Sequence, residues 1–281
     1  GIMSYNTKFI FTLISLITVI FSRDIIINTD FESDIGPFWS FKKSGNSIAE
    51  RSQDYALEGT YSFKSVCDGV DNYRAELGQD QEYAEVGSHR WYSAWFLIPS
   101  SGWQRPAPKW LHISQYKENF RSYPSFCLNY ENGLVYAHFR YWDYDSTQYL
   151  DGSDGQHREV NLKNYGINIE SNKWYRLVSH IYSNNDSTGY VEAWINGISI
   201  LPEDSTFFDA TGNTKYKAIN HKLYGKPVHN HTAKIRFGLY RAPNSTGKQT
   251  VFFDNISIGK TASSINFYNP QKYDLFKILF E

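Results

Sequence analysis

Beyond residue 24 the chain is written in short alternating runs, broken at close intervals by turn residues, and no long segment carries a convincing 3.6-residue period. The runs include YSFKSVC (61–67), YRAELG (73–78), HRWYSAWFLIP (89–99), KWLHISQYK (109–117), SFCLNYE (125–131) and LVYAHFRYW (134–142). They continue with KWYRLVSHIYS (173–183), GYVEAWING (189–197), AKIRFGLYRA (233–242) and VFFDNISIG (251–259). ENG (131–133), DGSDG (151–155), NNDSTG (184–189) and PNSTG (243–247) supply the punctuation. This rhythm predicts an all-β fold, a two-sheet antiparallel sandwich or a barrel. No internal repeat or linker divides it, so residues 24–260 are expected to form one domain, with 261–281 as a C-terminal extension lacking clean alternation.

The polar faces of these runs are unusual. In 233–241, Ile235, Phe237 and Leu239 alternate with Lys234, Arg236, Gly238 and Tyr240. Arg74 and Glu76 share a face, as do Tyr136, His138, Arg140 and Trp142. In a regular strand Gln115 and Lys117 would face away from His112. A merely solvated face would be mostly Lys, Glu, Thr and Ser. Faces of Arg, His, Gln, Tyr and Trp on a concave sheet describe a groove for a polar, ring-containing, anionic chain. Aromatic residues make up 17% of the sequence, which suits either strands or sugar stacking. Trp103 and Trp142 are candidate sugar platforms. The formal net charge of −1 offers no global basic field for nucleic acid, so an anionic partner must meet a local positive cluster.

Lys8 precedes a largely apolar run over 9–21, too short to span a bilayer and suited to a secretory h-region, so residues 1–23 are expected to be a signal peptide, or else an N-terminal anchor. Secretion is the expected localisation, with no membrane contact after cleavage and a monomeric product. Sequons at Asn185, Asn230, Asn244 and Asn255 agree with it. Cys67 and Cys127 could form one disulfide or remain buried thiols.

The order YRAEL (73–77), HISQYK (112–117), WYRL and GYVEAWING (174–197), then IRFGLYR (235–241), resembles the glucuronan lyase and heparin lyase I-like polysaccharide lyases and, more distantly, alginate lyases. The resemblance spans roughly residues 30–258 and implies a β-jelly roll that cleaves a uronic-acid polysaccharide, glucuronan above all, by β-elimination. Removing the C5 proton builds charge on a C6 carboxylate, so donors or cations must neutralise it while a base and an acid move protons. By resemblance Tyr240 is the base and acid. Arg236 and Gln115 neutralise the carboxylate, and Arg74 orients the substrate. Glu76, Lys117, Lys234, Tyr136 and Arg140 complete the binding face, and Gly238 leaves room for the sugar. Relatives place histidine where this chain has Lys117. His138 is therefore the preferred histidine, and His112 would need a bulge to join Gln115.

Jelly rolls resembling this one hold a structural Ca²⁺ between terminal strands. Glu32 and Asp254, then Asp30, are the candidate ligands, hard oxygens that suit calcium. No organic cofactor is expected. The competing readings are a non-catalytic carbohydrate-binding jelly roll and a laminarinase-type glycoside hydrolase. The latter needs paired carboxylates on one strand, and ESDIGP (32–37) begins that pattern without completing it.

Overall fold

The computed structural model describes residues 24–119, 123–142, 157–208 and 214–267. The predicted leader at 1–23, the chain beyond 267 and the Trp142 side chain lie outside them. The strands are β1 Ile25–Thr29, β2 Trp39–Lys43, β3 Ile48–Ser52, β4 Ser62–Cys67, β5 Arg74–Gln79, β6 Ser88–Leu97, β7 Leu111–Glu118, β8 Phe126–Glu131, β9 Leu134–Trp142 and β10 His157–Asn161. They continue as β11 Ile167–Asn168, β12 Trp174–Ser183, β13 Tyr190–Ile195, β14 Ile198–Ser199, β15 Asp204–Phe208, β16 Thr214–Ile219, β17 Lys222–Tyr224, β18 Ala233–Arg241 and β19 Gln249–Gly259. One sheet runs β15-β16-β17-β13-β12-β6-β19-β4-β3, with β1 added to β19 and β14 to β13. The other runs β10-β9-β8-β7-β18-β5-β2, with β11 against β9. The two sheets form the antiparallel sandwich expected from the alternation.

Alternation decides which side chains fill the space between the sheets. On β18, Ile235, Phe237 and Leu239 are at most 1% exposed. Phe237 meets Phe253 of the first sheet with ring centroids 5.7 Å apart. Each such side chain contributes about 2 kcal/mol by leaving water. Lys234, Arg236, Gly238 and Tyr240 occupy the alternate positions, on the outer face of the second sheet.

Two irregularities alter that face. Against β8, the register of β7 shifts between His112 and Ser114; against β7, the register of β18 shifts between Phe237 and Tyr240. The inserted residue in β7 reverses the parity beyond it, whereas β18 keeps its own alternation and an unbroken register with β5 from Arg236 to Tyr240. Gly238 lies at φ 123°, where a Cβ would collide with the Ala75 carbonyl oxygen and sit 2.8 Å from the Glu76 Cα. The glycine therefore answers to the bulge and to the backbone of β5, not to room for a sugar. Gly238→Ala is expected to cost about 3 kcal/mol of stability, read as a lower urea midpoint. An unchanged midpoint would show that the sheet accommodates the methyl group.

Cys67 on β4 and Cys127 on β8 are buried free thiols, and burial pushes the Cys67 thiol up to about 12. Three of the sequon asparagines, Asn185, Asn230 and Asn244, are exposed in turns, whereas Asn255 sits within β19. The described part of the C-terminal stretch packs Ile265 and Phe267 onto Val178, Trp194 and Trp91 of the first sheet.

Candidate active site

Strand pairing assembles the candidate residues in two rows across the outer face of the second sheet. Arg74 on β5, Tyr240 on β18, His112 on β7, Asn129 on β8 and Tyr136 on β9 stand opposite one another in succession. Four positions along β5 and β18, three along β7 and two along β8 and β9, Gly78, Arg236, Gln115, Cys127 and His138 form a parallel row. Glu76 lies between the rows, opposite Gly238, and Lys117 faces Lys234 at one end. The β7 bulge joins His112 to the Gln115 face, the condition that regular alternation denied it. Both histidines therefore reach the site, with ring centroids 6.4 Å apart. His112 stands nearer the tyrosine row.

Tyr240 is enclosed by aromatic and cationic groups. The Arg74 guanidinium sits 4.3 Å over its ring, Trp110 meets it edge-on at 5.1 Å, and the His112 ring is 6.0 Å away. Trp110 also stacks on His112 at 5.0 Å. His112 Nδ1 lies 2.5 Å from the Asn129 amide oxygen. That oxygen can only accept, so Nδ1 carries the hydrogen and Nε2 keeps its lone pair.

Glu76 is 1% exposed. It sits beneath the face and holds the cations in place, so it does not meet the substrate as the sequence led one to expect. Gln115 Nε2 donates to its Oε1, Arg236 Nη1 lies 3.3 Å from Oε2, and Arg74 Nε lies 3.4 Å from the same oxygen. Burial raises the Glu76 pKa, against the pull of Arg236 and Arg74. Around this one carboxylate stand Arg74, Arg236, Lys117 and Lys234, a local positive field in a nearly neutral protein. Burial, Arg236 and Arg74 together pull Lys117 down to about 8. Burial and Arg236 also lower Lys234, whose ammonium lies 5.3 Å over the Tyr83 ring.

The remaining candidates fall further out. Tyr136 donates toward Glu131 at 3.4 Å, and the Arg140 guanidinium lies 5.3 Å over the Tyr123 ring. Trp103 packs edge-on against Tyr130 at 4.4 Å and against the core. Arg241, last in the FGLYR run, is fully buried and donates to the carbonyls of Gly247, Gly69 and Ser245, a structural knot. The sequence alone did not point to Asn129 or Trp110. Asn129 shares the outer face with Cys127 on β8, and only the register shift between His112 and Ser114 sets it opposite His112.

Asp254 is fully buried, accepts main-chain N–H groups from Leu57 and Asn255 at 2.8 Å each, and is raised by burial and by the nearby Glu32. Glu32 accepts from Thr60 and Tyr61, also at 2.8 Å. Asp30 is exposed and spends an oxygen on the Glu32 N–H at 3.1 Å. Among the described residues no three His, Cys, Asp or Glu gather as a metal cage. Glu32 and Asp254 are neighbouring carboxylates whose oxygens accept main-chain N–H groups. A buried carboxylate with another beside it, and no ion-pair partner among the described residues, is short of positive charge.

The endo-β-1,4-glucuronan lyase of the fungus Trichoderma reesei is similar in fold, with a TM-score of 0.61 at 16% identity over 86% of this chain and 98% of that one. The cellulose-induced protein Cip1 gives 0.54 at 15% identity, covering 84% and 97%. Alginate lyase vAL-1 from Chlorella virus gives 0.50 at 13%, covering 85% and 100%. No curated protein matches the chain. The profile of the family described as polysaccharide lyase matches residues 32–257, nearly the whole sandwich and both rows of the site, and the chain belongs to that polysaccharide lyase family.

Proposed function

We propose that this polysaccharide lyase cleaves a polyuronate, glucuronan foremost, by β-elimination on the outer face of the second sheet. The observation that carries the reading is Tyr240, held between the Arg74 guanidinium and His112, one step from Gln115 and Arg236. Gln115, Arg236 and Lys117 receive the C6 carboxylate and stabilise the charge that grows on it. Tyr240, held under the Arg74 guanidinium, takes the C5 proton. The C4–C5 double bond forms as the C4–O4 bond breaks, and the tyrosine returns the proton to O4. His112 Nε2 is the acceptor that relays the phenol proton during activation.

The test is the ultraviolet absorbance of the unsaturated uronate, followed with glucuronan, alginate and heparin. A rise with glucuronan is expected. Reducing ends without absorbance, or binding without turnover on all three, would overturn the mechanism.

Lys117 gives the reaction a pH signature. Protonated below about 8, it neutralises the carboxylate; above that it loses the charge. The kcat/KM profile should therefore fall as pH rises through about 8, and Lys117→Arg should move that limb to higher pH. A limb that stays in place in Lys117→Arg would assign it to another group.

The leader sequence and sequons support secretion of the enzyme. Glu32 and Asp254 would hold calcium as a structural clasp between the opening segment and β19, with no part in the chemistry. Saturating calcium should raise the thermal midpoint by roughly 5–10 °C, and chelation should reverse it. An unmoved midpoint would remove the ion.

A further inference from the structure

The first sheet carries a second ordered row on its own outer face, on the far side of the core from Tyr240. Lys217 on β16, Tyr224 on β17, Tyr190 on β13, Tyr182 on β12 and His89 on β6 stand directly opposite one another across five adjacent strands. The next residue on four of these strands is a core position: Ala218, Leu223, Val191 and Ile181 are at most 2% exposed, which fixes the row as outward-facing. Lys217 and His89 are exposed, and the three tyrosines are half-buried.

Neighbouring rings touch. Tyr224 and Tyr190 lie 5.6 Å apart, Tyr190 and Tyr182 5.7 Å, and Tyr182 and His89 stack at 4.3 Å. The Tyr182 and His89 rings are stacked, and the tyrosine pairs are tilted at 53° and 57°. The Lys222 ammonium stands 4.5 Å over the Tyr190 ring. Beside the row, two residues along β12 and β13, His180 is 6% and Glu192 8% exposed. Glu192 Oε2 lies 2.6 Å from His180 Nδ1, and His180 Nε2 lies 3.0 Å from His89 Nδ1. A carboxylate at one end makes His180 Nδ1 the donor. His180 Nε2 then accepts from His89 Nδ1–H, and His89 Nε2 is left as an acceptor. Two buried polar groups thus set the orientation of a surface histidine that the chemistry across the core does not use.

We propose that this row is a second binding surface for the polyuronate, separate from the site of cleavage; the inference rests on the reading of the chain as a polyuronate lyase. Strand spacing of about 4.8 Å is close to the rise per ring of an extended 1,4-linked polysaccharide, so successive sugars meet successive side chains. The tyrosine hydroxyls and His89 suit sugar hydroxyls. Lys217 and Lys222 supply the positive charge a uronate needs, while Glu192, two positions along β13 from Tyr190, is occupied by His180. Holding the polymer here keeps it at the enzyme between cleavage events and raises its local concentration.

The test is affinity electrophoresis in gels containing glucuronan. Arg74→Ala/Lys117→Ala weakens the cleavage face and should leave part of the retardation. Adding Lys217→Glu/Lys222→Glu, which leaves the stacked rings intact, should weaken the remaining binding on the order of tenfold. Adding Tyr182→Ala instead should act in the same direction, with circular dichroism confirming the fold. Complete loss of retardation in the Arg74/Lys117 variant, or no further loss on adding either change, would overturn the second surface. The ultraviolet assay on the unaltered enzyme separates the two readings. Absorbance with unchanged retardation sinks the second surface alone, and absence of absorbance on every polyuronate sinks the mechanism as well.

Discussion

Tyr240→Phe is expected to lower kcat by roughly 10³-fold or more, because one hydroxyl carries both proton transfers and each is typically worth 10²–10⁴. The substitution removes a single oxygen. Arg74 still lies over the ring, Trp110 still meets its edge, and Tyr73 remains 6.3 Å away, so packing is kept. Thermal midpoint and polymer binding should stay close to those of the unaltered chain. The variant then separates binding from turnover: retardation by glucuronan persists while the absorbance trace goes flat. His112→Ala makes the informative partner. If His112 only relays the phenol proton, its loss should be rescued in part by raising pH, and loss of the tyrosine should not. Near-normal turnover in Tyr240→Phe would take the tyrosine out of the chemistry and leave His112 Nε2 as the base.

The strands were legible because alternation is local. Ile235, Phe237 and Leu239 declare the inner face of β18 without reference to any partner, and the turn residues mark where the strands stop. The resemblance carried by RAEL, the glutamine strand and FGLYR also implied that Arg74, Gln115, Arg236 and Tyr240 work together, and strand pairing sets them side by side. Depth was not legible. Alternation put Glu76 on the outer face, but only packing shows that Arg74, Arg236 and Gln115 close over it and turn a candidate ligand into a foundation. Parity was not legible across the bulges either. The three-residue step from His112 to Gln115 reads as opposite faces in any regular strand, and the inserted residue that reverses it is defined by the pairing of β7 with β8. Asn129 emerges from the same register, since a neighbour on another strand leaves no mark in the local sequence. Gly238 read as space because its own strand showed only a missing side chain, while the backbone of β5 that requires the gap comes from residues far earlier in the chain.

Gln115→Ala and Arg236→Ala should each lower kcat/KM on the order of 10²-fold, the usual loss for one preorganised group at a developing charge. The two should part company in stability. Both rest on Glu76, but Gln115 gives it one hydrogen bond from an uncharged donor, whose removal costs about 1.5–3 kcal/mol. Arg236 gives it charge at a position 8% exposed. Without that guanidinium the buried carboxylate keeps Arg74 as its ion-pair partner among the described residues, with Lys117 farther off, and breaking a buried pair costs about 3–5 kcal/mol. Arg236→Ala should therefore show a clearly lower urea midpoint, and adding Glu76→Gln should restore much of the stability without restoring turnover. The kinetic effects should not multiply in the double variant, because both donors address one substrate carboxylate through one anchored network. Full additivity would mean that the two act on separate groups of the substrate. Unchanged kinetics in both single variants would place the reacting carboxylate away from this row altogether.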